Sequence, residues 1–262
     1  MRVRTGVWGA VIACGLLCLA LPTFAQDTVY FDGVVGGNDT GTTGTQTSED
    51  AYTGLYSGTL NGTAVSGFIC DDYFHTITSP ETWQATAVQA STLGSNNNIN
   101  NVEFGGTIGL TGYAEVAMLV SAMYTIPSTG NTSTASLFGL NVNVTDLSEA
   151  IWAITSGGAS KIQGTSGLSA NALALIGDVM SYFANSANLS PQAWLAKYGG
   201  NLWILTPTSG QGGSNGPPQE FWANIATPEG GAPLMYLLLA GCSCFGGMFF
   251  SSRSKLRNRG TA

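Results

Sequence analysis

One short segment of the chain brings together residue types that can do chemistry. It contains Cys70, Asp71, Asp72 and His75, and His75 is the only histidine of the protein. A cysteine nucleophile needs a base to take its proton, and His75 is the one imidazole that could serve. In a strand, however, residues an odd number of positions apart point to opposite faces, which argues against this pair. We therefore interpret Cys70 as a small buried hydrophobic residue.

The same carboxylates and histidine leave a second interpretation open. Asp71, Asp72 and His75 offer oxygen and nitrogen ligands that could hold a cation, but their spacing matches no EF-hand calcium loop. Adjacent carboxylates in a loop are commonly just solvated. We predict no metal site and no cofactor from this segment.

Signatures of other enzyme classes are weak in this sequence. There is no His-Glu-x-x-His motif and no phosphate-binding glycine loop with its lysine, and a single histidine excludes most catalytic triads and metal clusters. Two carboxylates that hydrolyse a glycosidic bond are defined by distance and not by spacing, so a glycosidase stays open as an alternative. Five tryptophans could stack on sugars or fill the core: Trp83, Trp152, Trp194, Trp203 and Trp222. We predict that the protein is not an enzyme.

Charge is distributed unevenly along the 262 residues. Between residues 26 and 231 the chain has two cations, Lys161 and Lys197, against all fifteen acidic residues, a net charge of −13. Such a surface repels phosphate backbones, which excludes nucleic acid as a partner. The polar surface must consist mainly of Ser, Thr, Asn and Gly, a composition typical of extracellular β-rich domains. Surface glycans and other envelope components are the partners that we expect.

The pattern of apolar residues predicts strands at both ends of this region and helices in its middle. Asn61-Gly62 between two alternating runs is the strongest hairpin signal. Asp146, with Glu149 three residues later, predicts the N-cap of a helix. The predicted strands are 28–31, 54–60, 63–69, 82–88, 201–206 and 219–225, and the predicted helices are 113–124, 146–155, 169–185 and 190–198. The fold class that we predict is α+β, a single β-rich extracellular domain over residues 26–226 with a helical middle segment and paired terminal strands.

The N-terminus has the three parts of a signal peptide. Arg2 and Arg4 precede an apolar stretch over residues 7–21, and the small residues Thr23 and Ala25 fit cleavage before Gln26. Residues 1–25 are therefore predicted to be a signal peptide. A lipobox-like run ending at Cys14 is the alternative, but it would leave an improbably apolar mature N-terminus.

The C-terminus combines an apolar stretch with a basic tail. Residues 233–250 carry no charge and would span about 27 Å as a helix, close to the thickness of a bilayer core. Four cations follow: Arg253, Lys255, Arg257 and Arg259. The positive-inside rule puts these charges in the cytoplasm. We predict a transmembrane helix over 233–250 that anchors the exported domain in the inner membrane.

The residues before this stretch resemble a known sorting signal. Pro228 and Glu229, an apolar span and a basic end resemble the PEP-CTERM signal that exosortase-type transpeptidases of Gram-negative bacteria recognise. Gly230 stands where that family usually has a second proline, and Gly230-Gly231 is similar to the GlyGly-CTERM signal of a different membrane protease. The resemblance implies that residues 227–262 are a sorting signal. It also implies an exosortase as partner and, after processing, a location at the cell surface or outside the cell.

Two motifs in the middle of the chain resemble those of thioester domains on bacterial surface adhesins. They are Phe-Ile-Cys-Asp-Asp at 68–72 and Leu-Ser-Glu-Ala-Ile-Trp at 147–152. In that family the cysteine, followed by an acidic residue such as Asp71, bonds to a glutamine four residues before the tryptophan. Here Ser148 stands four residues before Trp152, and a serine cannot supply the acyl group to Cys70. The resemblance therefore implies a similar scaffold over about residues 54–206, without the thioester.

Our function hypothesis combines these observations. We expect an exported cell-envelope or extracellular-matrix protein with a structural or adhesive role, sorted by a PEP-CTERM-like signal. A carbohydrate-binding module is the first alternative and requires several tryptophans on one exposed face. A carboxylate-based glycosidase is the second, and it requires two acidic side chains that face each other in a cleft.

Overall fold

Nine β-strands and four α-helices make up the part of the chain that the structure, a computed structural model, describes. The described residues are 26–34, 53–65, 67–75, 77, 79–95, 97–126, 133–162, 168–208 and 218–225. All of them belong to the unit formed by residues 1–225, and the second unit, 226–262, lies outside them. The strands are β1 (Asp27–Val34), β2 (Tyr56–Leu60), β3 (Thr63–Ala64), β4 (Phe68–Cys70), β5 (Glu81–Gln89), β6 (Ala135–Leu137), β7 (Leu140–Val142), β8 (Leu202–Pro207) and β9 (Phe221–Asn224). The helices are α1 (Gly105–Met123), α2 (Val144–Thr155), α3 (Ala170–Ala184) and α4 (Pro191–Tyr198).

The main sheet closes on itself. Its strand order is β1-β5-β8-β9-β4-β2, and β1 also pairs with β2, so six antiparallel strands form a ring. β3 extends β2 outside the ring, and β6 and β7 form a separate hairpin before α2. Closure leaves no free edge between the first and last strands of the ring, which removes an aggregation-prone surface.

The predicted fold class is therefore wrong. The sequence predicted an α+β domain whose terminal strands pair with each other and that carries a membrane helix. In the structure β1 pairs with β5 and β2 and does not contact β9 in the sheet, because β5 and β8 lie between them. Within the described ranges no helix has both the length and the apolar character needed to cross a membrane. The stretch 233–250, for which that helix was predicted, lies outside the described residues.

Aromatic side chains fill the inside of the ring. Phe221 contacts Phe31, Tyr56, Phe68 and Trp83, which come from four different strands, with ring centroids 5.7–5.9 Å apart. Alternate residues of a strand share one face, so this set identifies the inward face of the sheet. Cys70 belongs to the same inner cluster.

The opposite face of the sheet packs against the helices. Ile69, Ile204 and Trp222 are fully buried there, together with apolar residues of all four helices. α1 is buried mainly over residues 112–120, and it changes direction at Gly109, whose φ of 62° lies in the left-handed region that favours glycine. The domain thus has two cores that share one sheet.

Local signals account for several elements. Asn61 and Gly62 both have positive φ, as the predicted two-residue hairpin turn requires. The N-cap of α2 was predicted at Asp146 but lies at Asn143, which accepts a hydrogen bond from the Asp146 amide at 2.9 Å. Asp146 in turn accepts one from the Asn143 amide at 3.0 Å. Asp146 is therefore the third residue of the helix in a capping box, and not its cap.

Candidate functional site

The end of β4 joins the closed sheet to helix α2. The Trp152 indole donates a hydrogen bond to the Cys70 carbonyl oxygen at 3.1 Å, and the Thr155 hydroxyl donates to the Asp71 carbonyl oxygen at 2.5 Å. Both donors lie on α2, and both are buried. The structure therefore brings together Cys70, Asp71 and Trp152 from the two motifs. We call this connection between the end of β4 and α2 the joint.

The Cys70 thiol is enclosed. Cys70 is 3% exposed, and its Sγ donates to the Asp72 carbonyl oxygen at 3.1 Å. Burial raises the pKa of this thiol well above its usual range, and the nearby charges of Asp72 and Asp71 raise it further. A thiol that resists ionisation is a poor nucleophile.

Ser148, four residues before Trp152, has a structural partner. Its hydroxyl accepts a hydrogen bond from the Gly54 amide at 3.1 Å, just before β2, and the residue is 2% exposed. A glutamine at this position would have to displace that contact. Ser148 thus connects α2 to the sheet at a second point.

A pair of buried carboxyl groups lies beside the joint. Asp71 and Glu220 are both fully buried and close enough to interact. Burial raises the pKa of both groups, and the charge of Glu220 raises that of Asp71 further. Glu220 accepts hydrogen bonds from the Tyr113 hydroxyl at 2.7 Å and the Glu103 amide at 2.8 Å, and also from the Thr206 hydroxyl. These donors favour ionised Glu220.

Asp71 is the less well hydrogen-bonded member of this pair. Its Oδ2 accepts from the Trp222 indole at 2.6 Å, but its Oδ1 receives no hydrogen bond from the described residues. Burial and the charge of Glu220 therefore favour the protonated form of Asp71, and the two carboxyl groups titrate as a pair.

A second cluster of ionisable side chains, formed by Asp72, His75 and Glu103, lies next to this pair and nearer the surface. Asp72 Oδ2 contacts His75 Nδ1, and Glu103 Oε1 lies 3.4 Å from the same nitrogen. The Asp72 side chain is fully buried, whereas those of His75 and Glu103 are 34% and 26% exposed. Burial raises the pKa of Glu103 to about 7, the charges of Asp72 and Glu220 also raise it, and His75 lowers it.

The geometry corrects one premise of the sequence reasoning about His75. β4 ends at Cys70, so the argument from opposite faces of a strand does not apply to residues 71–75. Asp72 Oδ1 accepts hydrogen bonds from the amides of Phe74 and His75 at 3.0 and 3.2 Å, which turns the chain and brings the imidazole onto Asp72. The Cys70 thiol hydrogen-bonds to the backbone, whereas the His75 imidazole contacts the carboxyl groups of Asp72 and Glu103.

Sequence reasoning missed Glu103, Tyr113 and Glu220. They lie 31 or more residues from Asp72 along the chain, and no local motif marks them. A weak signal was available for Glu220, since an acidic residue directly before an apolar strand is unusual. For Glu103 and Tyr113 we find none.

The remaining predicted residues divide into two groups. Gln26 is exposed and directly precedes β1. The others lie outside the described residues: Ala25 at the predicted cleavage site, Pro228, Glu229, Gly230 and Gly231 of the sorting motif, and the charges Arg253, Lys255, Arg257 and Arg259. The five tryptophans are mostly core residues, since Trp83, Trp152, Trp194 and Trp222 are 6% exposed or less.

The chain matches no protein-family model, and comparison with curated proteins and with solved structures gave no similar protein.

Proposed function

We propose that this protein is an exported component of the bacterial cell envelope or extracellular matrix, with a structural or adhesive role. The observation that carries the proposal is the state of Cys70, the nucleophile that the sequence singled out. Its thiol is enclosed and bonded to backbone, and Ser148 at the acyl-donor position bonds to the Gly54 amide. The residues that resemble the thioester motifs of surface adhesins here connect helix α2 to the sheet.

The burial of the aromatic and acidic groups supports this choice over both alternatives. A sugar-binding face needs exposed tryptophans, and four of the five are buried. A glycosidase needs two carboxyl groups that a substrate can reach, and Asp71 and Glu220 are fully buried. The acidic composition, and the C-terminal residues that resemble a PEP-CTERM signal, favour export and sorting by an exosortase-type transpeptidase.

The test is intact-mass measurement of the protein recovered separately from cells and from medium, in a strain that carries the gene and in its deletion mutant. We expect a chain that begins at Gln26 and that ends near residues 228–231 or carries a modification there. Its mass should equal the mass calculated without an internal thioester. The deletion mutant should lose surface attachment or matrix. Recovery of the full chain from the cytosol with Met1 in place, or unchanged attachment without the gene, would contradict the proposal.

A further inference from the structure

We propose that Asp72, His75 and Glu103 form a binding site for one divalent transition-metal ion, with zinc as the best match. This inference concerns a different set of side chains from the enclosed cysteine, and it does not depend on the proposed function.

The three side chains already converge. One ligand atom from each of Asp72, His75 and Glu103 lies within 4.8 Å of the other two. A tetrahedral zinc ion with bonds of about 2.0–2.2 Å holds its ligand atoms about 3.3–3.6 Å apart. His75 and Glu103 are partly exposed, so small rotations of their side chains suffice to bring all three atoms onto one ion. The ion then takes the place of the direct contact between Asp72 and His75.

Two carboxyl groups already contact one imidazole at this point. Oxygens of Asp72 and Glu103 both lie against Nδ1 of His75. A divalent cation held between the three side chains would offset the charge of both carboxylates.

The supporting contacts fix the orientation of the ligands. Two backbone amides hold Asp72 Oδ1, which leaves Oδ2 as the atom that contacts His75. Gln219 donates to the carbonyl oxygens of Asp72 and His75, the first at 3.1 Å, and so keeps the turn closed. Such outer contacts orient metal ligands and sustain affinity.

The ligand types select the kind of metal. Calcium and magnesium prefer oxygen ligands only, whereas an imidazole nitrogen with two carboxylates suits zinc or manganese. The 34% and 26% exposure of His75 and Glu103 leaves room for water as a fourth ligand. Three protein ligands and a water match the open form of zinc coordination.

The test is isothermal titration calorimetry of the purified full chain with zinc chloride, manganese chloride and calcium chloride. The unfolding temperature is measured in the presence of each metal. We expect zinc to bind at one site and to raise the unfolding temperature, because an ion that binds the folded state stabilises it. Glu103→Gln and His75→Asn should each weaken zinc binding by at least about tenfold. Asp178→Asn on α3, a matched loss of one carboxylate elsewhere, should bind zinc like the natural protein.

Four results would overturn the proposal. The first is no zinc binding at millimolar metal, and the second is equal zinc affinity in the natural protein and in both ligand variants. The third is a loss of zinc affinity in Asp178→Asn as large as that in the ligand variants, and the fourth is a calcium affinity as high as that for zinc. Far-UV circular dichroism of each variant without metal separates lost ligation from lost folding. His75 and Glu103 are partly exposed, so at least one of the two variants is expected to fold.

Discussion

Glu115 offers a direct test of how burial controls charge in this domain. It lies on α1 and is only 8% exposed. Burial raises its pKa from 4.5 to about 7. Folding therefore favours the protonated form, and the folded state binds a proton that the unfolded chain releases between these two pH values.

The sign of the stability effect follows from this linkage. Below about pH 4.5 both states are protonated and Glu115 costs nothing. Between pH 4.5 and about 7 the unfolded chain releases this proton while the folded state keeps it, so the free energy of unfolding falls as the pH rises. Above about pH 7 Glu115 is ionised in both states, and the loss of stability is complete. Moving the pKa from 4.5 to about 7 corresponds to at most about 3 kcal/mol. Residual contact with water reduces this value.

The perturbation is Glu115→Gln, which keeps the shape and removes the titrating group. We expect the variant to be more stable than the natural protein by about 1–3 kcal/mol at pH 8 and equal to it within error at pH 4. Urea unfolding followed by tryptophan fluorescence at pH 4, 6 and 8 measures the difference. Other carboxyl groups titrate in both proteins, so their contributions cancel in the comparison. A difference that does not change with pH, or a variant that is less stable at pH 8, would refute the reasoning.

The other predictions concern packing, capping and reactivity. Gly58→Ala should lower the free energy of unfolding by about 1–3 kcal/mol in urea titrations, because a Cβ there would lie 2.1 Å from the Tyr30 carbonyl oxygen. Gly177→Ala, in open space on α3, should raise it by about 1 kcal/mol in the same assay, and a loss of similar size at both sites would contradict the packing argument. Asn143→Ala should cost about 1 kcal/mol through the lost cap of α2, measured as a shift of the thermal midpoint, and an unchanged midpoint would count against the cap. Cys70 should resist iodoacetamide in the folded protein and react in denaturant, as peptide mass spectrometry can report; rapid alkylation of the native protein would show that the thiol is accessible.

Local features of the sequence were sufficient for several elements, but the hairpin β6–β7 was not predicted, and the predicted strand 63–69 is divided into β3 and β4. The Asn61-Gly62 turn follows from two residues that tolerate positive φ, and both adopt it. The predicted helices 146–155, 169–185 and 190–198 coincide closely with α2, α3 and α4, whereas α1 begins at Gly105, eight residues before the predicted start at 113. Ser169 and Ser190 cap α3 and α4. For α2 the local signal was ambiguous, because both Asn143 and Asp146 can cap a helix.

Closure of the sheet was beyond local reasoning. β1 pairs with β2 and β5 at separations that exceed the reach of any turn motif, and β4 pairs with β9 from the other end of the domain. Each strand pattern is compatible with several partners. The choice depends on how the aromatic side chains fill one interior, which is a property of the whole set and not of any strand.

The sequence alone determined the uneven distribution of charge and the serine at position 148, because these follow from residue identity. It also placed Asp72 and His75 within one turn of each other. Only the tertiary structure decided that Glu103 and Glu220 join them and that Cys70 is enclosed. Burial and Coulomb energy depend on distances through space, and residues far apart in the chain acquire those distances only when the sheet closes and the helices pack on it.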